Sequence, residues 1–415
     1  MRYSFLLITV TALLFISPLG FSETPTLDQT NDTELMPDPE PPDKTWMYGL
    51  EPDTLHVPAD YPTIQAAIDA ARNGDVVLVS PGTYMENINF NGKLIIVMSS
   101  EGPLATTIDG GSPADPKKAS VVTFNHGEGN RAVISGFQIT NGTGTEILPL
   151  GYHCGGGIIC HYASPTITNN IIVRNKAFDP PEMQSPHGGT GIAGNASPGS
   201  AGQGMMHPEQ AAQSKLFSTD KSNIGVGGGI GCYESAALII NNILCLNFSE
   251  TKGGAIACSR ANIQVINNTV TENLSGTGGS IYASTESRVT IKNSIFWGND
   301  SNEGEEWAIR SFSSFIISFT DLDGGMEAVR LGPNSTINWG AGMIDAEPIF
   351  ESGPKSDFYL SHDTGLVSPC IDAGSGFAGL LGFSTSWTRV DKIPDYGIVD
   401  MGFHYGPHAP QASFY

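Results

Sequence analysis

Apolar and polar residues recur in one order four times between Cys154 and Asn299. Gly155-Gly156-Gly157-Ile158-Ile159-Cys160 leads to Asn169-Asn170-Ile171-Ile172 and Asn175, and Gly227-Gly228-Gly229-Ile230-Gly231-Cys232 leads to Asn241-Asn242-Ile243-Leu244 and Asn247. The third copy runs from Gly253-Gly254-Ala255-Ile256-Ala257-Cys258 to Asn267-Asn268-Thr269-Val270 and Asn273. The fourth runs from Gly278-Gly279-Ser280-Ile281-Tyr282-Ala283 to Lys292-Asn293-Ser294-Ile295 and Asn299. Successive copies are offset by 72, 26 and 25 residues, the last slipping to 26 by its final Asn. Short β-type runs between turn residues at such a period predict a solenoid, in which each coil buries its apolar face on its neighbours. With Ile158, Ile230, Ile256 and Ile281 inward, Cys160, Cys232 and Cys258 fall in an inward column beside them. Asn170, Asn242, Asn268 and Asn293 read as a stacked ladder at a tight turn, each just before an inward aliphatic.

The flanking pattern completes the architecture. Ile64, Ala67, Ile68 and Ala71 share one face of a short helix that Asn73-Gly74 ends. A solenoid's first coil has an open apolar end, and this helix is expected to cap it. Strand runs follow at Val76–Val79, Leu94–Val97, Ser120–Phe124, Ala132–Ile139 and, after the repeats, Ser313–Thr320. At three short strands per coil of about 25 residues, the chain predicts roughly eight coils. The step between the first two copies exceeds one period by 46 residues, rich in Gly, Ser, Pro, Met and Gln, which predicts a surface loop over about 176–226. The expected layout is a solenoid over 57–325 and an irregular C-terminal cover and tail over 326–415.

Composition adds location. Residues 1–22 read as a secretory signal peptide: Arg2, an apolar run from Phe5 to Ile16, and Gly20-Phe21-Ser22 as cleavage site. Residues 23–56 form an acidic, Pro-rich leader, with nine carboxylates against Lys44 alone up to Asp53. The 415-residue chain has 50 glycines, 15 % charged residues and a net charge of −22. That charge argues against nucleic acid or an anionic membrane as partner and disfavours a polyanionic sugar unless Ca²⁺ bridges the two. No membrane insertion is expected after signal cleavage, and a monomer is expected. Of the other cysteines, Cys154 could pair with Cys160, while Cys245 and Cys370 look solitary.

The stretch Thr63-Ile64-Gln65-Ala66-Ala67-Ile68 through Gly74-Asp75 to Pro81-Gly82-Thr83-Tyr84 resembles the cap and first coil of the pectin-lyase-like superfamily. The Gly-Gly-Gly-Ile and Asn-Asn lines resemble its generic repeats. The tail from Ile317-Ser318-Phe319-Thr320-Asp321 through Ser368-Pro369-Cys370-Ile371-Asp372-Ala373-Gly374 to Asp400-Met401-Gly402 is similar to the bacterial choice-of-anchor Q proteins. The resemblance covers roughly 57–406 and implies an all-β, right-handed parallel β-helix, exported to the cell surface, periplasm or medium, with no assigned biochemical activity.

Candidate chemistry is sparse. The outward columns beside the inward Ile and Cys are Ile159, Gly231, Ala257, Tyr282 and His161, Tyr233, Ser259, Ser284. His161, Tyr233 and Tyr282 could form an aromatic shelf for sugar rings, scattered exposed aromatics being the simpler reading. No paired carboxylates for hydrolysis and no Ca²⁺ cluster with a base for β-elimination stand out. Asp300, Glu303, Glu305 and Glu306 share one loop and Asp321 and Asp323 close the last coil; a Ca²⁺ site is the rival there to solvated turns. Met183, His187, Met205, Met206 and His207 in the insertion would suit copper, but flexible filler is preferred. Asn247-Phe248-Ser249 and Asn273-Leu274-Ser275 read as repeat positions, not glycosylation sites. The expected function is an exported protein that binds an extended carbohydrate or serves as a structural module. The alternative is a polysaccharide lyase or glycoside hydrolase with an unrecognised active site; no cofactor other than Ca²⁺ is expected.

Overall fold

Each repeat unit becomes a set of short strands that pair in parallel with the same stretch of the next unit. In the computed structural model, which describes residues 51–148, 151–178, 225–354 and 356–406, Ile158–His161, Ile230–Tyr233, Ile256–Ser259 and Ile281–Ser284 stack in register. They belong to an eight-stranded sheet, the second wall. The first wall precedes the Asn turn in two runs (Thr166–Thr168, Leu238–Ile240) and follows it in two others (Ile171–Val173, Ile243–Cys245). These runs count as one 16-stranded sheet because Arg288–Trp297 passes through both. The third wall holds Tyr152–Cys154, Gly225–Val226, Phe248–Lys252 and Leu274–Thr277. The fold is thus a parallel β-helix, nearly all β. The segment expected to be a signal peptide, most of the expected leader, the inner part of the insertion with its Met and His residues, and residues 407–415 lie outside the described residues.

Inward positions follow the two-residue strand period. Ile158, Ile230, Ile256 and Ile281 are fully buried, and Cys160, Cys232 and Cys258 lie beside them in the same core. All six cysteines are free. Cys154 does not pair with Cys160: it packs outside the second wall with Ile147 and Ile159. The helix Ile64–Ala70 begins at Thr63, whose side chain accepts from Ala66 N, and buries Ile64, Ala67 and Ile68. Glu86 accepts from Ile64 N and Gln65 N at 2.9 Å, a carboxylate on the helix's orphan donors. Lys93 Nζ donates to the carbonyls of Ile68, Asp69 and Ala71 at its other end. Pairing starts earlier than Val57, with Thr54–Val57 on Val76–Val79. The run Ala132–Ile139 is two strands, broken at Gly136, whose φ of +79° only glycine adopts freely.

The Asn pair divides its labour. The second Asn is the buried rung: Asn170 Nδ2 donates to Asn242 Oδ1, and Asn242 Nδ2 to Asn268 Oδ1, each at 3.1 Å. The fourth rung is Ser294, whose Oγ accepts from Asn268 N at 3.1 Å, and not Asn293 as the sequence reading has it. The 26-residue register, fully restored by this point, places Asn293 one position earlier, in the column Asn169, Asn241, Asn267. That first Asn holds the left-handed backbone, with φ of 51–58°, which Asn tolerates better than most residues. The aliphatic after each rung points outward rather than inward: Ile171 and Ile243 meet Tyr359, Phe403 and Tyr405 of the tail. A second ladder runs Asn175, Asn247, Asn273, Asn299 at 2.7–3.1 Å. Asn247 and Asn273 are therefore fully buried and closed to glycosylation in the folded chain.

The C-terminal segment lies along the flank of the first wall. Asn241 Nδ2 donates to His404 O and its Oδ1 accepts from His404 N (2.9 and 2.7 Å). Asn293 Oδ1 accepts from Ser375 N at 2.8 Å. Ile295 packs with Leu360, Cys370 and Met401.

Candidate functional site

The outer face of the second wall is only partly open. Both outward columns have the register expected from the sequence, Ile159–Gly231–Ala257–Tyr282 and His161–Tyr233–Ser259–Ser284. The first column is not a surface, however, over most of its length. Ile159 is 1 % and Ala257 5 % exposed; Ile147, Cys154 and Val226 of the third wall fold over Ile159. A Cβ on Gly231 would meet Cys154 Sγ at 2.3 Å, so only glycine admits that cover. Tyr282 and the second column stay half-buried.

Three rings meet at the edge of this face. His161 lies 4.6 Å from Tyr162 and 5.2 Å from Tyr233 between centroids, and Tyr162 meets Tyr233 edge-on at 5.7 Å. Tyr162 is 53 % exposed. Burial holds the His161 pKa below its ordinary value, with Glu234 pulling the other way, so the ring is neutral at pH 7. Arg260 lies 5.5 Å from the Tyr233 ring centroid and donates to its hydroxyl and, at 3.2 Å, to Glu234 Oε1. Tyr162, Glu234 and Arg260 occupy the left-handed corner that follows the strands, with φ of 48–55°. In the fourth copy Thr285 and Glu286 both take this conformation. That extra corner residue moves the register from a 25-residue to a 26-residue step. Beside the corner lies an open groove of about 500 Å³ whose lining includes Ser235, Asn262 and Arg288. The sequence reading passed over Tyr162, Glu234, Arg260 and Arg288. The signal for the first three was the position after His161, Tyr233 and Ser259, where aligned copies share no residue type.

Tyr282 lies apart from the ledge, paired with Ala257 and Ala308. Lys252 Nζ sits 5.2 Å from its ring centroid, and burial lowers the lysine's pKa and raises the tyrosine's. Beyond it, Arg330 contacts Glu303, and Arg310 Nη2 lies 3.6 Å from Glu303 Oε2. Glu305 Oε1 is 4.0 Å from Arg310 and 3.9 Å from Arg330. Burial, then Glu303, raises the Glu305 pKa. Three of the six acidic residues are thus not solvated as expected, Glu305, Glu306 and Asp321 being 5 %, 4 % and 0 % exposed, while Glu303 is exposed and Asp300 and Asp323 are half-buried. Glu306 ends the second Asn ladder, accepting from Asn299 N at 3.0 Å and Ser280 Oγ at 2.7 Å.

Asp372, Asp395 and Asp400 each bring a carboxylate oxygen within 4.8 Å of the others, the spacing a cation needs. Internal donors already engage two of them. Asp395 Oδ2 is 2.8 Å from His404 Nε2, and Asp400 accepts from Asp372 N and Thr388 Oγ1. These contacts pin the tail. Among the described residues no helix is long and apolar enough to cross a membrane.

No protein-family model and no curated protein matches the chain. Among solved structures it is similar to the pectate lyase Pel9A, at 13 % identity and a TM-score of 0.38 over 85 % of this chain and 97 % of that one. Escherichia coli ybhc follows at 11 % and 0.31, over 75 % and 87 %. Pectin methylesterase from carrot gives 12 % and 0.27, over 71 % and 83 %. These are likenesses of fold, at identities that carry no activity across.

Proposed function

We propose that this is an exported β-helix protein that binds an extended carbohydrate along the open edge of its second wall. The observation that supports it best is the ledge of His161, Tyr162 and Tyr233 beside Arg260 and Glu234. Aromatic faces take the CH faces of sugar rings, while the adjoining guanidinium and carboxylate suit their hydroxyls. Tyr282 and its Arg310–Glu303 neighbours extend the polar edge along the coil stack. Export rests on residues 1–22, and kinship with the choice-of-anchor Q proteins on the tail sequence. A glycan array of the mature chain tests the proposal; an array without hits leaves a structural or adhesive module in its place.

A second reading is catalytic. Glu303 and Glu305 share two arginines beside Tyr282 and Lys252, and paired carboxylates beside cationic groups are the raw material of acid–base chemistry. Incubation with uronic-acid and neutral glycans, read for unsaturated products and new reducing ends, distinguishes the two. Either signal would replace the binding-only reading.

A further inference from the structure

We infer that the carbohydrate taken at this corner is a neutral polysaccharide, its chain crossing successive coils along the groove beside Glu234, Arg260 and Glu286. The inference rests on the carbohydrate-binding reading and adds the ligand's charge class and path.

Charge carries the first part. Around the groove two carboxylates, Glu234 and Glu286, stand beside two guanidiniums, Arg260 and Arg288, and Arg260 is already paired with Glu234. Farther along the face Arg310 and Arg330 are matched by Glu303 and Glu305. A polyanion needs a row of unspent cations, since its affinity comes from neutralising repeated charges. Here Arg288 alone would have to serve such a chain, in a groove that Glu234 and Glu286 also line, on a protein whose net charge is −22. Neutral His161 adds no cation.

Shape and hydrogen bonding carry the second. Tyr162, Glu234, Arg260 and Glu286 step from coil to coil, and strands stack about 4.8 Å apart, so the corner spans roughly 14 Å. That repeat is close to the length of one pyranose unit in an extended chain, which lets each coil meet one ring. The side chains there offer paired donors and acceptors rather than net charge: the Arg260–Glu234 pair and the exposed Asn262 amide. Adjacent sugar hydroxyls, each both donor and acceptor, match that mixture.

The test is titration calorimetry of the mature chain with neutral gluco-, manno- and xylo-hexasaccharides and with hexagalacturonate, at about 50 and about 500 mM NaCl. At least one neutral ligand is expected to bind, with affinity changing less than about twofold between the two salts. Tyr162→Asn, which removes the ring but keeps a residue suited to the left-handed corner, is expected to weaken that binding about tenfold with an unchanged melting temperature. Binding confined to hexagalacturonate and collapsing at high salt would overturn neutrality while leaving carbohydrate binding intact. Binding to none of the four would remove the carbohydrate reading, and this inference with it.

Discussion

Two corners of each coil adopt the same backbone and are used in opposite ways. At the first wall the left-handed residues are Asn169, Asn241, Asn267 and Asn293, with φ of 51–58°. At the edge of the second wall they are Tyr162, Glu234, Arg260 and Glu286, with φ of 48–62°. Conformation alone explains the first set, because Asn accepts positive φ at less cost than other side chains. It does not explain the second, where a bulky ring and long charged chains occupy strained positions. The Asn corner is covered by the tail and its side chains hold that tail. The other corner faces water, so its side chains are free to differ from coil to coil. Repetition within this molecule marks scaffold; variety at an equivalent position marks the surface where a ligand can be read.

The largest effect should come from breaking the scaffold beside the Asn corner. Asn242 donates to Ile167 O and Asn268 Oδ1 and accepts from Asn170, all fully buried. Asn242→Ala orphans several of these groups, and about 3 kcal/mol or more of stability should be lost, measured by urea unfolding. A loss below 1 kcal/mol, on the order of a surface substitution, would mean that the ladder does not hold the coils together.

The second ladder should make the scaffold pH-sensitive. Burial pushes the Glu306 pKa up to about 8, against the hydrogen bond from Ser280, and the Asp321 pKa up to about 7, against that from Cys370. Below about pH 3 both are largely protonated folded or unfolded, and no penalty arises. Above it the unfolded chain ionises first, so the folded state binds more protons and stability falls as pH rises towards 8. The slope is at most about 1.4 kcal/mol per pH unit per group. Glu306→Gln should flatten that decline in unfolding curves taken between pH 5 and pH 8; an unaltered slope would place the titrating group elsewhere.

Releasing the tail should cost less. Asn241→Ala removes both hydrogen bonds to His404 and the Asn preference for positive φ, together about 2 kcal/mol. Hydrogen exchange at Phe403–Tyr405 should rise before that of the coils, because this segment is held mainly by side chains. At the other corner, Tyr162→Asn should change stability by less than about 0.5 kcal/mol and show itself in binding alone.

The scaffold was legible because its causes are local and recurrent. Gly runs, alternating Ile and Cys, and Asn pairs fix the turns and walls within one coil. The rung at Ser294 rather than Asn293 is hidden in the sequence because the extra corner residue at Thr285–Glu286 shifts the period from 25 to 26 within that coil. The flank was not legible, since Asn241 meets His404 across 163 residues and no period announces such a contact. Nor was the cover of Ile159, supplied by strands as short as Gly225–Val226, too brief for any pattern. Of the site, His161 and Tyr233 stood out as aromatics in an outward column. Tyr162 and Arg260 did not, because a strand's alternation says nothing about the corner beyond its end.

A crystal of the mature chain soaked with a bound neutral oligosaccharide tests the central claim most directly. The account predicts a sugar ring against Tyr162, hydroxyls on Arg260 and Glu234, and the chain continuing towards Glu286 across the coils. Density confined to the Tyr282–Arg310 end, or to the tail-covered flank, would contradict it.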